Sequence, residues 1–339
     1  MRATRMLAVA AAAAALITMS GCPGGAGGLP GTPGGGSGKV DPNTCGNYAA
    51  SDAGRKLKAF FEATVELNDA VIRTEAVVKE SCRIMGEELK MPPGDLEGQT
   101  KAVCDKVLAE LKSDLQAGLK GEANLKVDYK PAVCTINAEA AASAAAECEA
   151  KASADVKVQC QGSCEGTCNG KCDGKCQGST GAGGECNGHC EGTCGGTCSG
   201  GCKGSADVDA SAQCKAKAEV HASVQAECTE PELNVSYDAK IVVDKAKAEL
   251  AVNAIKKGMP KMLSVQARLK PLAAATQAWV KASNELAESG RDLAASFKDQ
   301  AMCISGQIAA AVGMVANIQA SVSVSVEVSA SASGSVGGG

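Results

Sequence analysis

Ten cysteines in two evenly spaced runs are the residues of this sequence with the clearest capacity for chemistry. The first run, CQGSCEGTCNGKCDGKC, places a cysteine at every fourth position from Cys160 to Cys176, and the second, CNGHCEGTCGGTCSGGC, does so from Cys186 to Cys202. As thiolates these side chains would bind soft metals such as zinc or copper(I). As oxidised pairs they would form disulfides of defined geometry. The compartment in which the chain folds decides between the two.

The first residues of the chain indicate export. Arg2 and Arg5 precede an apolar stretch, Met6 to Met19, which is too short to span a bilayer comfortably and is followed by MSGC, ending at Cys22. This pattern resembles the lipobox of bacterial lipoproteins, with Met19 in the place where leucine is usual. The resemblance covers residues 1–22 only, and it implies a signal peptide at residues 1–21 and a lipid on Cys22. An ordinary secretory signal is the alternative.

The resemblance also implies a place in the cell envelope. In Gram-negative lipoproteins an aspartate after the lipidated cysteine favours the inner membrane, and Pro23 stands there instead, so we expect the outer membrane. Residues 22–44 are dense in Gly and Pro and predict a flexible tether. Export places the other eighteen of the 19 cysteines where disulfides persist.

The cysteine positions favour a hairpin over a tandem repeat. Fourteen cysteines form seven pairs whose positions each add up to 362, including flanking cysteines that a direct repeat of the two runs would leave without partners. We therefore predict seven disulfides: Cys134 with Cys228, Cys148 with Cys214, Cys160 with Cys202, Cys164 with Cys198, Cys168 with Cys194, Cys172 with Cys190, and Cys176 with Cys186. Glycines and, further out, Val127 and Val235 follow the same mirror, and the predicted turn lies near residues 179–183.

Side-chain alternation supports strands on both sides of this turn. The even-numbered positions of both arms are small or apolar and the odd ones are mostly polar, which is the period of a β-strand. We expect a two-stranded antiparallel ribbon over residues 123–239, with arms that extend for about 150 Å at roughly 3.3 Å per residue. In that ribbon the bonded cysteines would lie directly opposite each other.

Three alternatives remain open at this point. The Ala-rich arms, residues 138–158 and 208–226, are also good helix formers. The thiols could bind metal in a metallothionein-like manner, although no C-x-x-C occurs and a metal cluster needs no mirror. The third alternative is a disulfide-stapled solenoid, such as an ice-binding scaffold, whose cysteine positions would repeat by translation along the chain and not by reflection about a turn.

Helical periodicity flanks the ribbon. Residues 45–122 predict a helical hairpin and residues 240–317 a second helical pair, with breaks near Pro260, Pro271 and Gly290, so that the four helices form an antiparallel bundle. Cys82 and Cys104 are level in the first hairpin and should pair, which leaves Cys45 for Cys303. Residues 318–339 alternate again and predict a β-strand and a Gly-rich tail.

Together these features predict an α+β fold: a helical bundle with a very long disulfide-laddered ribbon inserted, plus a C-terminal strand. No catalytic motif, metal site other than the cysteines, cofactor fingerprint or basic patch is recognised, so we expect neither enzyme activity, nor a cofactor, nor nucleic-acid binding. The expected function is that of a lipid-anchored envelope structural protein, a rigid spike or spacer. Its expected partners are the membrane, through the lipid, and either a second copy or another envelope protein. A metal-binding lipoprotein is the alternative.

Overall fold

Two antiparallel helices are the first α-helices of a computed structural model, which describes residues 39–119, 125–181, 185–238 and 242–337. Helix α1 is Asp52–Glu88 and helix α2 is Thr100–Gly118, with a short 3-10 turn, Pro93–Leu96, between them. The side chain of Ser51 caps α1 by accepting the backbone N–H of Gly54 at 3.1 Å. The predicted signal peptide, Cys22 and most of the tether lie outside the described residues, as do residues 182–184 of the predicted turn.

Short antiparallel ladders follow in the mirror register that the sequence predicts. Strand β1, Leu125–Lys130, pairs with β8, Glu232–Tyr237, so that Val127 faces Val235. Strand β2, Cys134–Asn137, pairs with the short β7, Glu227–Cys228, and Cys134 faces Cys228. In these two ladders the partner positions add up to 362, as they do for the disulfides.

The Ala-rich arms are helices, and the prediction of strands for them was wrong. Helix α3 is Ala138–Glu149 and helix α4 is Ala212–Val224. Alanine has the highest helix propensity, and the side chain of Asn137 caps α3 by accepting the N–H of Ala140 at 3.0 Å. Cys148 and Cys214 are therefore joined between two packed helices, with Cα atoms 5.5 Å apart, and not across a ribbon.

The Cys/Gly segment forms a closed four-stranded barrel, so the prediction of an open, very long ribbon was wrong. Its strands are β3, Val158–Cys164; β4, Thr167–Thr180; β5, Glu185–Ser199; and β6, Gly201–Val208. An isolated two-stranded ribbon leaves both edges unpaired, and coiling lets these edges bond to each other.

The helical pair predicted for residues 240–317 does not break at Pro260, Pro271 or Gly290, because one long helix continues through all three positions. Helix α5, Lys245–Ala295, has 51 residues and continues through Pro260 and Pro271. At 1.5 Å per residue it spans about 75 Å. Proline removes one backbone hydrogen bond each time, but α5 packs along α1, α2 and α4, and that packing is sufficient to keep it continuous.

The C-terminal segment is helical, which corrects the predicted β-strand. Helix α6 is Ala301–Gly313 and helix α7 is Val315–Gly337. The alternating residues of α7 also form a helical stripe, whose buried members among the described side chains are Ile318, Ser325, Val328, Ser329 and Ala332. Small residues alternating with serine therefore fit both periods, and packing against α1, α2 and α5 selects the helix.

The helices enclose two hydrophobic cores. One surrounds Met85, Leu111 and Met262, and the other surrounds Phe60 and Trp279, whose rings stack with centroids 6.1 Å apart. The indole N–H of Trp279 donates to the hydroxyl of Thr64 at 2.8 Å, so this buried donor is satisfied. Within the described residues, one stretch, Lys298–Gly334, is long and apolar enough to cross a membrane, a test that core helices of soluble proteins also pass.

Candidate functional site

The barrel is a coiled hairpin whose two arms wind around a common axis. Because of this winding, strand β5 pairs with the first arm, Val158–Thr180, on both of its edges. On one edge of β5, Thr193 faces Asp173 and Thr197 faces Asn169. On its other edge the same two threonines face Ser163 and Gln159. The two residues of the first arm that pair with one threonine of β5 are thus ten positions apart, so one turn of the coil takes ten residues.

This winding makes the barrel short. Each turn adds two strands at about 4.8 Å each, or about 10 Å along the axis. The segment from Val158 to Thr180 makes a little over two turns and so extends for about 20 Å. The predicted reach of about 150 Å for each arm was therefore wrong.

Five disulfides fill the interior of this coil. They join the cysteines of the two runs in the pairs whose positions add up to 362, with Cα atoms 5.7–5.9 Å apart. The bonded cysteines are not backbone partners, however. Cys168, for example, faces Cys198 in the strand ladder but forms its disulfide with Cys194. The offset of four residues is nearly half a turn, so each disulfide crosses the interior to the opposite wall.

Glycine completes the inner wall between the cysteines. Gly174 faces Gly192 across the ladder, both with positive φ, 156° and 159° respectively. A Cβ on Gly174 would lie 2.0 Å from the carbonyl oxygen of Glu191. The tight curvature therefore requires glycine here, both for its backbone conformation and because the opposite strand is so close.

The remaining four disulfides tie the barrel and helices together. Cys134 bonds Cys228 at the barrel base, and Cys148 bonds Cys214 between α3 and α4. Cys82 bonds Cys104 between α1 and α2, and Cys45 bonds Cys303 on α6. All nine are pairs that the sequence analysis predicts. Sulfur in a disulfide is not a thiolate and offers no metal ligand of that kind, and no group of three metal-binding side chains occurs among the described residues.

The outer surface of the barrel separates neutral from charged side chains. The wall facing solvent carries five uncharged residues in one row along the axis, each the ladder partner of the next: Gln159, Thr197, Asn169, Asn187 and Ser179. Two residues along each strand lie Thr167, Ser199, Gln177 and His189, none of which carries a carboxylate, an ammonium or a guanidinium group. We call these nine residues the neutral face.

All but one of the charged residues of the barrel wall lie on the rest of its circumference, which we call the charged face. Lys203 and Glu165 form an ion pair at 2.7 Å, and Lys175 is the ladder partner of Glu191. The charged face consists of Glu165, Lys171, Asp173, Lys175, Glu185, Glu191 and Lys203. An eighth charged residue, Asp207 on β6, lies at the base end of the neutral row, where it is the ladder partner of Gln159 and forms an ion pair with Lys215.

A cavity of about 470 Å³ lies where the barrel base meets α4 and α5. Asp207, Lys215, Lys281 and Glu285 line it. Lys215 bridges Asp207, at 2.5 Å, and the buried Glu219, at 3.7 Å. Burial raises the pKa of Glu219 to about 7, although Lys215 and the backbone N–H of Val208 favour its charged form.

Sequence reasoning missed the cavity, Glu219 and the neutral face. Glu219 occupies an odd-numbered, polar position of a predicted strand, and only the helix α4 turns it toward the barrel base. For the coil there was a signal: glycine at the inward positions midway between the cysteines is typical of backbone with positive φ and close strand contact.

No protein-family model, curated protein or solved structure matches this chain. Its class therefore follows from its own structure. A mixed helix and strand fold with nine disulfides defines a rigid, disulfide-stabilised protein of an oxidising, exported environment.

Proposed function

We propose that this chain is a lipid-anchored structural protein of the bacterial cell envelope, which holds the rigid barrel on a helical base. The observation that carries the proposal is the interior of the barrel, where five disulfides and paired glycines replace a conventional core. Such an interior can form only where thiols oxidise, and it leaves the barrel few ways to deform.

The anchor is proposed on the sequence of the first residues. The MSGC motif supplies a lipid on Cys22, and the Gly/Pro-rich segment after it supplies reach. Pro23 after the lipidated cysteine favours the outer membrane. The helical base adds length, since α5 alone spans about 75 Å, and a spacer for surface contact or assembly is the role that this combination supports.

Lipid labelling and fractionation test the anchor. In a Gram-negative host grown with an alkyne fatty acid, the wild-type chain should be labelled and sediment with outer-membrane vesicles. Cys22→Ser should abolish the label and release the protein from the membrane fraction. Pro23→Asp should move it to the inner membrane, and Pro23→Ala, the matched control, should leave it in place. An unlabelled wild-type chain would contradict the anchor.

Thiol titration tests the structural role against metal binding. Denatured, non-reduced protein purified from the envelope should contain almost no free thiol and no stoichiometric zinc or copper. Many free thiols with bound metal would favour the metal-binding lipoprotein instead.

A further inference from the structure

We propose that the neutral face of the barrel binds an uncharged, extended polysaccharide, of the class of β-1,4-linked glycans. This inference goes beyond the structural role and does not depend on the lipid anchor. It rests on the chemistry of the face, on its separation from charge and on its spacing.

Part of the neutral face offers carboxamides and hydroxyls that are free to bind a ligand, whereas Gln177 donates to Glu191 and Ser199 donates to the carbonyl of Thr167. Asn169 and Asn187 are adjacent ladder partners and both are exposed, as are Gln159 and Ser179. In the part of the chain that the structure describes, no hydrogen bond engages the side chains of Asn169 and Asn187. A carboxamide has two donors and one acceptor position, which is the complement of neighbouring sugar hydroxyls.

The distribution of charge selects a neutral partner. Seven of the eight charged residues named for the barrel wall lie on the charged face, where both signs are mixed and two pairs are in contact or opposed in the ladder. The eighth, Asp207, adjoins Gln159 at the base end of the row and is paired with Lys215. A nucleic acid or an anionic lipid surface would require a basic patch, and the neutral face has none. An apolar partner would require apolar or aromatic side chains, which are also missing from these nine residues.

The spacing of the face fits an extended chain. Its main row runs parallel to the barrel axis, with successive side chains on neighbouring strands about 4.8 Å apart. This is comparable to the length of one sugar unit in an extended β-1,4-linked glycan, so each unit would meet one strand. The five residues of the row are separated by four such spacings, so the row matches the length of about four sugar units.

The disulfides make the face suitable for binding. Hydrogen bonds to a solvated sugar contribute little each, because water competes for the same groups. Binding then depends on groups that are already in place, and the backbone beneath the neutral face is fixed by buried cystines such as Cys168 with Cys194. Without an aromatic stacking partner the affinity for one oligosaccharide should be weak, and a polymer should be retained better through repeated contacts.

Affinity electrophoresis of the full, oxidised chain tests the proposal. Native gels would contain hydroxyethyl cellulose, soluble glycol chitin, dextran or polygalacturonate. We expect retardation by at least one of the two β-1,4-linked neutral polymers, and the difference between them shows whether the N-acetyl group contributes. Dextran, which is α-linked, and the anionic polygalacturonate should retard it at least fivefold less.

Variants of the two faces locate the site. Asn169→Ala with Asn187→Ala should weaken retardation at least fivefold, whereas Glu165→Ala with Lys203→Ala, which removes an ion pair of the charged face, should change it less than twofold. Circular dichroism and disulfide mapping would show that both double variants fold. Titration with cello- and chito-oligosaccharides should show affinity rising to about the tetrasaccharide and then levelling off.

Several outcomes would overturn the inference. These are no retardation of the folded wild-type chain by either neutral β-1,4-linked polymer, equal retardation by dextran, or equal loss in the two double variants. A dimer in sedimentation that the Asn169→Ala and Asn187→Ala variant abolishes, with no glycan binding, would assign the face to a second copy of the chain instead. Because the lipid is not needed for these measurements, their failure would leave the proposed anchor standing.

Discussion

At the scale of single residues, glycine is as important to the barrel as cysteine. The disulfides can cross the coil only because the strands bend sharply between them, and at Gly174 this bend combines positive φ with a backbone contact that leaves no room for a Cβ. Cysteine supplies the links across the interior, and glycine permits the curvature that brings them within reach.

Gly174→Ala should therefore destabilise the barrel. The new Cβ would lie 2.0 Å from the carbonyl oxygen of Glu191, and φ would have to leave its value of 156°. We expect a loss of about 2 kcal/mol or more in the free energy of unfolding, measured by denaturant titration. Gly195→Ala is the matched control on the same sheet, since its Cβ would lie 3.3 Å from the nearest atom. Equal losses would contradict a specific need for glycine at 174.

Glu219 should make stability depend on pH. Burial raises its folded-state pKa to about 7, above the ordinary value of 4.5, so the folded protein binds more protons than the unfolded chain between these values. Stability should therefore fall as pH rises from 4.5 to 7 and then level off, with a total loss of up to about 3 kcal/mol.

The variant Glu219→Gln tests this effect because it keeps the acceptor for Val208 and cannot ionise. It should flatten the pH profile of the melting temperature and be more stable than wild type above pH 7. Glu147→Gln, an exposed change on α3, is the control and should follow wild type. A wild-type profile that rises between pH 5 and 7 would contradict the inferred burial penalty.

At the scale of elements, the sequence predicted the disulfide partners better than the backbone. The flanking cysteines define the mirror at 362, and the outer ladders obey it. Inside the runs, a strand register shifted by four residues again places cysteine opposite cysteine. The barrel uses this shifted register, so that Cys172 faces Cys194 in the ladder and forms its disulfide with Cys190. Even spacing cannot distinguish these registers, because only the closure of the coil in three dimensions selects one.

The helices show the same limit for a different reason. Alternation in the Ala-rich arms and in α7 fits a strand, yet small residues also fit a helix, and tertiary packing decides. Pro260 and Pro271 were expected to break α5, and instead the helix continues because its neighbours cover it. Local signals of this kind identify where elements occur more reliably than where they end.

Pro260→Ala tests how α5 tolerates its prolines. Alanine would restore a backbone N–H and remove the clash of the ring with the preceding turn, so we expect a gain of about 1–3 kcal/mol in the free energy of unfolding. Pro271 is buried and the hydroxyl of Ser223 donates to its carbonyl at 3.2 Å, so Pro271→Ala should gain less. Denaturant unfolding of the two variants would measure both. A loss of stability in Pro260→Ala would mean that the proline packs in a way that alanine cannot replace.

At the scale of the whole molecule, the disulfides lie in regions that differ in how well they are protected from a reductant in solution. Cys45 with Cys303 ties the segment before α1 to α6, Cys82 with Cys104 closes the first hairpin, and the barrel disulfides lie in a line from the base to the tip. A reductant must reach sulfur to act on it, so exposure along this line should set the order of reduction.

Reduction of the native barrel should accordingly proceed from the tip. Cys172 and Cys176 are only partly buried, whereas Cys160, Cys164 and Cys202 are 2% exposed or less. Under limiting reductant, alkylation and mass mapping should show Cys176 with Cys186 opening first, followed by Cys172 with Cys190, and Cys160 with Cys202 last of the five. Denatured protein is the control and should lose this order. If the native protein instead opened all five bridges together, the barrel would be a single cooperative unit whose unfolding precedes any reduction, and the base would offer no more protection than the tip.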